Sequence, residues 1–89
     1  MHYPRPLSIH RADVQRLLIR AGWTRHADGS LSRAGVVWRN VGNRRDSILR
    51  LFEGHPDFVV EFSPEIPASV IAAACIAAAE FYGRRAVAA

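Results

Sequence analysis

Residues 67–82 constrain this chain more than any other stretch, because inside that alanine-, valine- and isoleucine-rich run only Ser69 and Glu80 bring side-chain polarity. A helix apolar nearly all round needs cover on more than one side. A sheet is the expected cover for one side and a second copy of the helix for the other. On a helical wheel Val70, Ile71, Ala74, Ala77, Ala78, Phe81 and Tyr82 form the broad face expected to cover the sheet. Ala72, Ala73, Ile76 and Ala79 lie opposite, where small side chains let another helix come close, and they are the expected self-association face of a homodimer. The alternative is that these alanines are simply good helix formers facing water.

At 89 residues the chain is expected to form one domain over 1–89, with an extended arm at 1–7 and a frayed tail at 86–89. A hydrophobic fraction of 49% suits a folded core and argues against disorder away from the ends. Cys75 is the single cysteine, sits within the apolar run and has no internal partner, which favours a reducing compartment. Residues 1–6 hold two prolines, an arginine and a histidine and no apolar signal core, so the expected location is the cytoplasm. The apolar run is shorter than the roughly 20 residues that span a bilayer, and no membrane partner is expected.

Every basic residue apart from the histidines is arginine, and the net charge is +4. Its distribution says more than its total. Ten arginines face three aspartates up to residue 50, whereas two arginines face five acids beyond it. Such asymmetry gives a positive surface for an anionic partner, either nucleic acid or an acidic protein, or lets opposite ends of two chains attract. All-arginine usage also follows from a GC-rich genome.

The order of elements reads as helix, three or four strands, helix. Val14, Leu17, Leu18 and Ala21 share one helical stripe, which predicts a helix over 9–21 with Ser8 as N-cap and Gly22 as its stop. Residues 23–27 read as a strand, Asp28-Gly29 as a hairpin reversal and 36–41 as the return strand, with a possible bulge at Gly35. Further strands are expected at 48–53 and 58–62, separated by turns at 41–46 and 54–57. Phe58, Val60 and Phe62 alternate onto one face. Pro67 suits the first turn of the last helix and Gly83 its end. The expected class is α+β, a two-layer sandwich with two helices on one face of an antiparallel sheet.

No pattern names a reaction, and no catalytic residue, cofactor or metal is assigned. Glu53, His55 and Asp57 alternate around a turn, which can aim carboxylates and an imidazole at one point, but a solvated turn explains them equally. Paired histidines and cysteine pairs with zinc-ligand spacing are missing from the sequence. Arg16 and Arg20 on the first helix, Arg25 and Arg39 on strands, and Arg44 and Arg45 in a loop are the candidate partner-binding residues. Interleaved Trp23 and Trp38 offer indoles that can stack on bases, or else fill the core.

The segment Val14-Gln15-Arg16-Leu17-Leu18-Ile19-Arg20-Ala21-Gly22-Trp23, followed by Asp28-Gly29-Ser30, resembles the opening of HicA-type toxins, small ribonucleases with a double-stranded-RNA-binding-like α-β-β-β-α fold. That family sets a catalytic histidine directly after Gly-Ser. Here Leu31 holds the position, with His26 nearby but out of register, so the resemblance implies a shared topology without the activity. The stretch from Phe62 to Ala74, a strand ending Phe-Ser before a proline-initiated, alanine-rich helix, resembles small actinobacterial and actinophage domains and implies an origin rather than a mechanism. The function expected from the sequence is a non-catalytic interaction module that binds an anionic partner through an arginine-rich face. A HicA-like ribonuclease or degenerate relative, and a structural subunit of a larger assembly, are the alternatives.

Overall fold

A computed structural model describes residues 11–41, 46–51 and 59–83. The chain runs through helix α1 (Ala12–Arg20), strands β1 (Thr24–Arg25), β2 (Leu31–Arg33), β3 (Val36–Asn40), β4 (Ser47–Arg50) and β5 (Val59–Phe62), then helix α2 (Ala68–Ala78). A wider π-type turn, Ala79–Gly83, ends the second helix. The strands form one antiparallel meander in the order β1-β2-β3-β4-β5. This is the expected α+β arrangement with five strands instead of three or four.

The extra strand comes from Gly35, which does not make a bulge. Arg33 pairs with Val36, and the two residues between them, Ala34 at φ 55° and Gly35 at φ 85°, form a tight reversal. Positive φ at both central positions is the geometry that matches the twist of adjoining strands. Residues 31–33 therefore become a strand of their own. The preceding loop closes with the His26 N–H donating to the Ser30 carbonyl at 2.8 Å, and Gly29 takes φ 90°.

Pairing registers align Leu31, Trp38 and Leu49 across β2, β3 and β4. These three, with Val36 and Phe62, are buried on the face the helices cover. Val14 and Leu18 of α1 enter the same core, with Leu17 and Ala21 packed at its margin, which is the predicted stripe. Ile71, Ala72, Cys75 and Ala79 enter from the second helix. The helices also pack on each other.

The face of α2 differs from the wheel reading. Ala72 and Ala79 are buried, Ile76 is half-buried against the core, and of the expected self-association set Ala73 alone faces solvent. Of the face expected to cover the sheet, Ile71 is buried and Ala78 and Tyr82 are half-buried, while Ala74, Ala77, Val70 and Phe81 are exposed. Close approach explains the rotation, since small side chains at 72, 75 and 79 let this helix sit deep in a layer it shares with α1. Ala72 and Ala79 thus belong to the core cluster that α1 also enters.

An arginine fixes the two helices at their starts. Arg11, 3% exposed and at φ 47°, donates from Nε and Nη2 to both oxygens of Asp13 at 3.1 and 3.2 Å. Its Nη1 donates to the carbonyls of Ile66 and Pro64 at 3.0 and 3.4 Å, in the turn that leads into α2. At the other end of α1, Gly22 takes φ 93°, and Arg33 Nη1 donates to the Ala21 carbonyl at 2.6 Å. A Cβ on Gly22 would meet that guanidinium at 2.8 Å and displace it, and the φ of 93° itself favours glycine there. The turns expected at 41–46 and 54–57, Ser8, Phe58 and both chain ends lie wholly or partly outside the described residues.

Two consequences for stability follow. Burial alone would raise the Asp13 carboxyl, but the Arg11 hydrogen bond, the Val14 N–H and the Arg11 charge outweigh it and hold the group below 3.8. The folded state therefore gains from ionised Asp13 above that pH and loses the gain as pH falls through the lowered value. Asp13→Asn should destabilise the protein at pH 7 by about 1–3 kcal/mol, because the buried guanidinium loses its charged partner. Urea denaturation should show that difference shrinking at pH 3. Ser47 is fully buried and its hydroxyl has no hydrogen-bond partner. Ser47→Ala should raise the melting temperature, since it removes an unsatisfied group at the cost of one atom of packing.

Candidate functional site

The arginines divide by environment. Arg11 and Arg33 are held by structural partners, whereas Arg16, Arg20, Arg25, Arg39 and Arg50 make no ion pair; among the described residues the salt bridge is that of Arg11 with Asp13. Uncommitted guanidinium groups are the ones available to a partner.

Three of them line one cleft. Gly22 takes φ 93° where α1 gives way to β1, and Arg25 with residues 27–29 of the following loop shares a cleft with the helix. Arg16, Arg25 and Arg39 then line a cleft of about 690 Å³ together with Gln15, Ile19 and Asp28. Arg20 is exposed but does not line this cleft, and Arg44 and Arg45 lie outside the described residues. The structure therefore brings together half of the predicted partner-binding set.

Among the described residues Asp28 is the one carboxylate in the cleft wall. The Ser30 hydroxyl and N–H both donate to its Oδ1, at 2.7 and 2.9 Å, and these bonds hold its carboxyl below the usual range. Its charge is already engaged by the loop it shapes. The excess of positive charge around the cleft is left to solvent or to a ligand.

Among the described residues no helix lies over the other face of the sheet. Ser32, Val37, Arg39, Ile48 and Arg50 line a shallow hollow of about 420 Å³, with His26 and Asp28 at its rim. His26 Nε2 and Ser32 Oγ share a hydrogen bond of 2.6 Å. Arg39 and Asp28 line both hollows, so the basic surface is continuous from the helix side to the open sheet. Arg50 and the His26–Ser32 pair were not part of the site expected from sequence. Alternation of Ile48 and Arg50 around buried Leu49 was the available signal, since it puts Arg50 on the side away from the core.

Both indoles belong to the core: Trp23 is 4% exposed and Trp38 is fully buried, so neither stacks on a base. Leu31, at the position where HicA-type toxins place their histidine, is likewise fully buried under the helices. Among the described residues no group of three histidine, cysteine or carboxylate side chains is placed to hold a metal, and Glu53, His55 and Asp57 lie outside them. No helix among these residues is long and apolar enough to cross a membrane. No family model, curated protein or solved structure matches the chain.

Cys75 is inert by position. It is fully buried, and desolvation pushes its thiol from 9.0 up to about 12. A thiol reagent at pH 8 should label Cys75 only as fast as the protein unfolds. Because the folded state keeps this proton while the unfolded chain loses it, Cys75 should also contribute a fall in stability between about pH 9 and about pH 12, absent in Cys75→Ala.

Proposed function

We propose that this chain is a non-catalytic binding module for nucleic acid, held through the phosphate backbone by Arg16, Arg25 and Arg39. The observation that carries this reading is the convergence of three unpaired guanidinium groups, from α1, β1 and β3, on one cleft. Guanidinium forks match phosphate oxygens in geometry and charge. With Trp23 and Trp38 in the core, stacking on exposed bases is not offered by either indole, and recognition falls to the backbone. Binding is accordingly tolerant of sequence, and an intact duplex is as suitable as a single strand.

Counterion release supplies the test. The affinity for a short DNA or RNA duplex should fall steeply with salt, and each of Arg16→Gln, Arg25→Gln and Arg39→Gln should reduce the slope of log K against log salt by about 0.9. Arg20→Gln should change it less. Affinity that survives high salt would remove the nucleic-acid reading. Binding confined to acidic peptides would transfer the same arginines to a protein partner, and RNA cleavage dependent on His26 would restore the ribonuclease reading.

A further inference from the structure

We infer that the open face of the sheet holds a second phosphate-oxyanion site, formed by Arg39, Arg50 and Ser32 with His26 behind the serine. It rests on the backbone-binding reading only in sharing Arg39; its other members lie outside the cleft. The registers fix the arrangement. Arg39 pairs with Ile48 and Arg50 with Val37, which makes the two arginines diagonal neighbours on adjacent strands. Diagonal side chains on one face start about 7–8 Å apart, within the span of two arginines that converge on one anion.

Like charges placed so closely on one face repel unless something neutralises them. Neither arginine has a carboxylate partner. Asp28 is engaged by Ser30, and exposed Glu61, opposite Ile48 on β5, makes no ion pair with Arg50. A bound anion relieves the repulsion. Val37 and Ile48 supply an apolar floor between the two guanidinium groups. Ser32 pairs with Val37 on its far side, two strands from Arg50, and in the tautomer whose Nε2–H donates to Ser32 Oγ the hydroxyl proton is left to donate to an anion. Two forked cations and one donor hydroxyl suit a tetrahedral oxyanion with several acceptor oxygens, the group that both free phosphate and a phosphodiester present.

Amide chemical shifts of the full chain, followed during titration with inorganic phosphate and separately with a short DNA duplex, test this. Phosphate should move the amides of Ser32, Val37 and Arg50. Arg50→Gln should weaken the phosphate-induced shifts at these amides about tenfold in affinity, the loss expected for one charge-assisted contact, with Arg50→Lys retaining part of it. The same amides moving with the duplex would identify the polymer backbone as the natural source; movement with phosphate alone would identify a small phosphate group. Shifts confined to residues 12–19 and 27–29 would overturn the second site and leave the cleft standing. A duplex and a phosphate that move nothing would overturn both.

Discussion

Burial of the row Leu31, Trp38 and Leu49 on one side of the sheet is the constraint on which everything else hangs. Each of these side chains contributes about 1.5–3 kcal/mol on leaving water, and they occupy the centre of the covered layer. Because side chains alternate, fixing that row inward sends Ser32, Val37, Arg39, Ile48 and Arg50 outward. The basic sheet face is thus the complement of the core. A one-residue slip of β3 against its neighbours would turn Arg39 inward and expose Trp38.

Arginine performs two different tasks in this fold. Arg11 and Arg33 are tied to backbone carbonyls and join segments far apart in sequence: the entry to α1 with the entry to α2, and β2 with the end of α1. Arg16, Arg25, Arg39 and Arg50 make no such bonds and gather on one continuous surface. Composition cannot separate the two groups, since the residue type is the same in both. Tertiary partners separate them.

The α1 stripe, the Asp28-Gly29 reversal, the Pro67 start and the two-layer class were legible because each rests on local periodicity or on the backbone demands of glycine and proline. Five strands were not, because Ala34-Gly35 lacks the asparagine or aspartate that usually marks a two-residue reversal, and alanine at φ 55° is a costly choice there. The inward face of α2 was misread for a different reason. Hydrophobicity ranks Val70 and Phe81 as the side chains to bury, whereas the depth of packing against α1 and the sheet selects Ala72, Cys75 and Ala79. Of the site, Arg16, Arg25 and Arg39 were visible as unpaired charges on separate elements. The His26–Ser32 bond was invisible because it depends on which sides of a five-residue loop face each other.

Arg39 stands on the ridge between the helix-side cleft and the open sheet, lining both. One guanidinium cannot fully serve two separate small anions, so if both hollows bind anions as proposed, occupancy of either would lower affinity at the other, an antagonism reciprocal by linkage. A polymer carrying phosphates at regular intervals escapes this conflict. On the proposed reading it would lay one group beside Arg39 and its neighbours along the same chain into both hollows, gaining avidity where monomeric anions compete.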